Sequence, residues 1–175
     1  MRHRDAVAMF DGARLDRPAP SVWADLGSGD GTFTLALADR LAPGSAIHAI
    51  DRDRAALEQL KSSAHDVRIE KHVADFTRAW PIDHPLDGIL MANSLHYVRD
   101  QESLLRKLTK RLTPDGRFLI VEYDKTFPNP WVPYPLNAKA LLELFAAVGY
   151  SHCQMLGTRP SSYQRGRIYA ALLTP

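Results

Sequence analysis

Three glycines, Gly27, Gly29 and Gly31, alternate in the run Val22-Trp23-Ala24-Asp25-Leu26-Gly27-Ser28-Gly29-Asp30-Gly31-Thr32. Such a run lets the backbone lie directly against a nucleotide-shaped cofactor. No side chain intervenes, and the turn can visit backbone angles closed to other residues. A helix opening at Gly31 would aim unsatisfied N–H groups at the same spot. Twenty positions further on, Asp51 ends the apolar-leaning run Ala46-Ile47-His48-Ala49-Ile50. A carboxylate there can accept both hydrogen bonds of a ribose diol. Its bland alternative is a helix N-cap or a solvated loop acid.

For these residues to meet, the chain must run strand, turn, helix, strand. Residues 22–26 read as the first buried strand, 31–41 as the helix and 46–51 as the second strand. A dinucleotide site would want G-x-G-x-x-G, but Thr32 stands where the third glycine should be. Asp25-Leu26-Gly27-Ser28-Gly29-Asp30-Gly31 instead resembles, at every position, the first motif of the class I S-adenosylmethionine-dependent methyltransferases.

The later segments extend the resemblance through about residue 125. Residues 67–73 read as a third strand followed by Ala74-Asp75-Phe76, and residues 86–93 as a fourth with Asn93 at its exposed end. Leu112-Thr113-Pro114-Asp115-Gly116 resembles the family's Leu-x-Pro-Gly-Gly turn before the fifth strand, with Asp115 replacing the first glycine. The resemblance implies that Asp75 takes the adenine amino group and that Phe76 packs near the ring. It assigns Asp25, Gly27, Ser28, Gly29, Gly31, Asp51, Arg52 and Asn93 to the same cofactor, S-adenosyl-L-methionine, whose product is S-adenosyl-L-homocysteine.

The implied fold is α/β: a doubly wound Rossmann-like sheet of seven mostly parallel strands, with a terminal antiparallel hairpin and helices on both faces. The hairpin falls at residues 151–156 and 167–173, joined by a loop over 157–166. Asn137 can cap a helix through about residue 147, with Gly149 closing it. With 175 residues and 45% hydrophobic content, the chain is sized for one core. Residues 21–175 read as a single cofactor-binding domain. In residues 1–20, Ala6, Val7, Met9 and Phe10 can form one apolar helix face, a lid over the cofactor or a contact to a second subunit in a homodimer.

Composition excludes several classes. No run is long enough to span a membrane and the N-terminus lacks a signal peptide's apolar stretch, so a cytoplasmic location is expected. A net charge of +2 gives no dense basic face for nucleic acid. The most basic cluster, Arg106, Lys107, Lys110 and Arg111, reads as the solvated side of a helix whose stripe is Leu104, Leu105, Leu108 and Leu112. The one cysteine, Cys153, excludes an internal disulfide and reads as a small buried hydrophobe. The seven histidines do not fall at ligand spacings in the sequence, so no metal is expected.

For catalysis, His96 in Asn93-Ser94-Leu95-His96-Tyr97 is the candidate base, its alternative being a helix residue bonded to a loop. Tyr97, Tyr123 and Arg159 are candidate substrate contacts. The loop 124–136 packs four prolines and three aromatics into residues 125–135. Its prolines would present Trp131 and Tyr134 at low ordering cost, as walls of an acceptor pocket or as a cover over the sheet edge. The Asn-Ser-Leu-His segment is not the Asn/Asp-Pro-Pro-aromatic tetrad of enzymes that methylate exocyclic amines of bases or glutamine. The resulting expectation is methyl transfer to the oxygen, nitrogen or carbon of a small-molecule acceptor. The alternative is a catalytically silent cofactor-binding module that supports a partner subunit. A nicotinamide-dependent reductase is opposed by the glycine spacing.

Overall fold

The computed structural model describes residues 1–13, 15, 19–160 and 166–175. Apolar runs at strand period alternate with helical stretches, and this order produces a layered sheet. In chain order the elements are α1 (His3–Ala8), β1 (Val22–Leu26), α2 (Thr32–Ala38), β2 (Ala46–Asp51), α3 (Arg54–Gln59), β3 (Ser63–Ala64) and β4 (Val67–Val73). There follow β5 (Leu86–Ala92), a 3₁₀ turn (Leu95–Tyr97), α4 (Gln101–Thr109), β6 (Leu112–Tyr123), α5 (Ala138–Ala146), β7 (His152–Pro160) and β8 (Arg167–Thr174).

The sheet order is β3-β4-β2-β1-β5-β6-β8-β7. From β4 to β6 every pairing is parallel, and β8 and β7 add antiparallel at one edge. From β1 the chain moves outward to β2 and β4, then returns to β5 on the other side. This reversal opens a crevice at the carboxyl ends of β1 and β5, where open α/β sheets bind ligands.

The strand count is eight rather than the expected seven. The addition is β3, two residues antiparallel to β4, too short to show any periodicity in the sequence. The turn expected at Pro114-Asp115-Gly116 is a bulge inside one long strand: Leu112 pairs with Leu86, but Arg117 pairs with Gly88. The expected hairpin forms, with β7 reaching Pro160. Of its joining loop, residues 161–165 lie outside the described residues, as do 14 and 16–18 of the N-terminal segment.

Each face of the sheet carries a core. Leu26, Ile50, Ile89, Phe118 and Ile120 pack with Leu105 of α4 and Phe145 of α5 on one side. Trp23, Ile47, Leu90 and Leu119 pack with Leu37 of α2 and Met9 and Phe10 at the end of α1 on the other. The predicted apolar face of α1 is thus buried, with the Phe10 and Phe33 rings 6.0 Å apart. Asn137 caps α5 as expected, its Oδ1 accepting from Ala140 N at 2.9 Å. Arg106 is paired with Glu102 and donates to the Ala147 carbonyl at 2.8 Å, so part of the basic face of α4 serves α5. Among the described residues no helix is long and apolar enough to cross a membrane.

Candidate active site

The glycine turn leaves β1 at the crevice, and its three glycines all have positive φ: +79° at Gly27, +54° at Gly29 and +87° at Gly31. Their environments separate their roles. A Cβ on Gly27 would stand 2.6 Å from Ser94 Cβ, and one on Gly31 would stand 2.1 Å from Leu60 Cδ1. Both glycines are packing requirements. A Cβ on Gly29 would meet nothing within 4 Å, so this is where backbone lies open to the crevice.

Two cavities meet at that point, both lined by Gly27, Gly29 and Asn93. The larger, about 450 Å³, adds Asp51, Arg52, Asp75, Phe76 and Tyr97. Asp51 Oδ2 accepts from Gly29 N at 2.8 Å and its Oδ1 accepts from Asp53 N at 2.8 Å, so the acid at the end of β2 pins the turn. The cap of α3 is Asp53, not Asp51. Asp75 Oδ1 accepts from Thr77 Oγ1 at 2.6 Å and from Thr77 N at 2.9 Å. These bonds, the hydroxyl's first, hold its carboxyl below the usual range.

The smaller cavity, about 300 Å³, is lined by Asp25, Ser28, Asp30, Phe33, Tyr123 and Ile168 among others. Three of its lining residues each hold a buried oxygen without a partner: Asp25 Oδ1, Ser28 Oγ and Asn93 Oδ1. Unpaired buried acceptors are costly, and a ligand N–H group would relieve them. Asn93 sits at φ +55°, a strained angle for a side-chain-bearing residue at the end of β5. Across the two cavities stand the acids Asp25, Asp30, Asp51, Asp53 and Asp75, and among the described residues the one basic side chain there is Arg52. That balance suits a cationic sulfonium with an ammonium group and opposes a pyrophosphate. The residues therefore fit S-adenosylmethionine.

Burial pushes the Asp25 carboxyl up to about 7, against a Thr34 Oγ1 bond of 2.6 Å that pulls it down. Its folded value lies above the unfolded 3.8, so between these values the folded chain holds a proton that the unfolded chain lacks. Stability of the free protein consequently falls as pH rises through that window. Asp25→Asn should be more stable than the parent by roughly 1–4 kcal/mol at pH 8, and by less at pH 5. Denaturant titration at both values checks this, and an equal gain at the two would refute the assignment.

The predicted catalytic and substrate residues fare differently. His96 reaches the carboxyl edge, but its side chain is only 1% exposed and lines neither cavity, which corrects its placement beside the methyl group. Its Nδ1 lies 2.6 Å from Glu122 Oε2, and its backbone N donates to Glu122 Oε1 at 3.1 Å. The ring centroid lies 4.2 Å from that of Tyr97, tilted by 47°, and 5.7 Å from that of Tyr123, edge-on. Tyr97 lines the larger cavity, beside Asp51 and Asp75, and Tyr123 lines the smaller one.

Trp131 and Tyr134 line neither cavity. Asn129 accepts from the Trp131 and Val132 backbones and turns the chain so that Trp131 is 69% exposed. Arg159 lines neither cavity but an adjoining cleft that shares Met1 with the smaller one, its Nη1 donating to Asp5 at 3.1 Å. Residues that sequence reasoning missed include Ser94, whose Oγ donates to Leu26 O at 2.6 Å, and Glu122. The Asp75-x-Thr77 spacing was a readable signal of a local turn. Although the histidines are scattered in sequence, His48, Glu70 and His72 converge in the fold.

This geometry agrees with what the chain is similar to. The family described as methyltransferase domain matches residues 24–118, so the chain belongs to the class I S-adenosylmethionine-dependent methyltransferase family. A trans-aconitate 2-methyltransferase of Azoarcus sp. is 28% identical over 94% of this chain and 68% of its own length. An uncharacterized methyltransferase of Staphylococcus carnosus is 32% identical over 56% of this chain and 45% of its own, so the match spans under half of that relative. Among solved structures, the Burkholderia thailandensis 1,6-didemethyltoxoflavin-N1-methyltransferase shares the fold with a TM-score of 0.70. It is 22% identical and matches over 98% of this chain and 77% of its own. The YcgJ protein of Bacillus subtilis superposes with a TM-score of 0.67 and 16% identity, over 98% of this chain and 97% of its own.

Proposed function

We propose that this chain transfers a methyl group from S-adenosylmethionine to a small, uncharged and largely apolar acceptor. The observation that carries the reading is the junction of the two cavities at Gly29, with three unpartnered buried oxygens on one side and Asp51 and Asp75 on the other. When bound, the donor supplies a methyl group on a sulfonium, itself a good leaving group. What remains for the protein is to align the acceptor and exclude water.

Met1, Phe33, Tyr123 and Ile168 form the apolar part of the smaller cavity and would hold that acceptor. Among the described residues no arginine, lysine or histidine side chain lines it, while Asp25 and Asp30 do. An anionic acceptor would find no side-chain cation there, so the trans-aconitate in the name of the Azoarcus relative is a poor fit. His96 acts as a positioning residue: held by Glu122, it braces the Tyr97 and Tyr123 rings. Met1, just ahead of α1, stands on the same wall and would cover part of the smaller cavity.

The test pairs calorimetry with an assay of labelled methyl transfer to a panel of neutral aromatic, neutral aliphatic and polycarboxylate acceptors. S-adenosylmethionine and S-adenosylhomocysteine should bind and NAD should not, and label should appear in a neutral acceptor. Preferential binding of NAD would overturn the donor assignment; transfer confined to polycarboxylates would overturn the acceptor assignment.

A further inference from the structure

His48 on β2 is the register partner of Glu70 on the parallel strand β4, and His72 follows Glu70 by two residues. Side chains two apart on a strand share a face. The fold therefore gathers two imidazoles and a carboxylate that are scattered in sequence. His48 Nδ1 lies 3.0 Å from His72 Nε2 and 3.3 Å from Glu70 Oε2. One donor atom from each of the three stands within 4.8 Å of the others. A third imidazole, His84, reaches over from the loop between β4 and β5, its ring centroid 5.2 Å from that of His48.

From these contacts we infer a binding site for one borderline divalent transition-metal ion, of the zinc type, at His48, Glu70 and His72. It is independent of the proposed donor and acceptor. Donors bound at about 2.0–2.2 Å in a tetrahedron stand about 3.4 Å apart, close to the two separations from His48 Nδ1. Imidazole nitrogens favour zinc, cobalt or nickel, whereas calcium and magnesium want oxygen ligands. The remaining Glu70 oxygen, Oε1, is ion-paired with Arg68 Nε at 2.9 Å, an outer contact that would orient the carboxylate. His48 is buried, whereas the Glu70 side chain is 37% exposed and leaves an entry path. The fourth position falls to His84 or to water. Because the ligands bridge neighbouring strands, the ion would clamp β4 to β2 about 10 Å back along the strand from Asp51.

The experiment uses the full chain without a histidine tag, stripped by chelation and titrated with zinc alone, then with cobalt as a spectroscopic probe. One equivalent of zinc should bind, cobalt should give the intense visible bands of a four-coordinate site, and magnesium should not compete. His72→Ala should weaken zinc by more than the roughly 10–100-fold that a lost outer contact costs, and Glu70→Gln should also weaken it. His152→Ala, on β7, should change nothing. The variants' melting curves in chelator should match the parent's, and zinc should raise the parent's melting temperature but not that of His72→Ala. Failure to bind one equivalent, or binding unaffected by both His72→Ala and Glu70→Gln, would overturn the site. If His72→Ala does not fold, the Glu70→Gln titration decides alone.

Discussion

Asp51→Ala should lower the affinity for S-adenosylmethionine by about 100-fold while the domain stays folded. Two losses combine. The ribose would lose a charged acceptor, worth about 1–3 kcal/mol. The turn would also lose its pin, because Gly29 N donates to Asp51 Oδ2 and Asp53 N to Oδ1. Without them the Gly29 N–H has no partner of its own, and the loop must be ordered by the ligand, which adds to the cost of binding. Asp51→Asn keeps an oxygen able to accept from Gly29 N and should lose only about tenfold, since charge is removed but one acceptor remains. Calorimetry with S-adenosylhomocysteine reads both. An alanine variant within threefold of the parent would mean that the acid at the end of β2 serves the turn alone.

The legible part of this protein was local. Gly27, Gly29 and Gly31, the strand ends at Asp51 and Asn93, and the cap at Asn137 announce themselves because each answers a backbone requirement within a few residues. The structure groups Gly27, Gly29, Asp51 and Asn93 around one crevice, while Gly31 packs against Leu60. What the sequence hid depends on strand register. Glu122 meets His96 across 26 residues. No spacing rule links them, and that pairing is what draws the imidazole under the tyrosines instead of into the cavity. The histidine cluster was missed for the same reason: His48 and His72 become neighbours only when β2 and β4 align. Trp131 misled differently. A proline-rich aromatic loop looks like a pocket wall, but the Asn129 turn aims the segment away from both cavities.

Gly29→Val should abolish detectable donor binding, a loss of at least about 1,000-fold, in a protein that still folds. The added side chain meets no protein atom near its Cβ, so it would grow into the space where the two cavities join. The cost to the fold is the backbone angle, φ +54°, which is left-handed and disfavours a branched side chain by about 1–2 kcal/mol. A single domain with a typical stability of about 5–15 kcal/mol survives that. Gly31→Val should behave oppositely. Its Cβ would stand 2.1 Å from Leu60 Cδ1 and 3.1 Å from Cγ of that buried leucine, at φ +87°. Overpacking costs about 1–3 kcal/mol and the strained angle adds to it, so melting should fall well below that of the Gly29 variant. Both residues belong to the same motif, yet thermal melting and donor titration should sort them into a ligand-facing glycine and a packing glycine. Normal donor affinity in a folded Gly29→Val protein would remove the cofactor from this turn, and the crevice at the ends of β1 and β5 would have to serve another ligand.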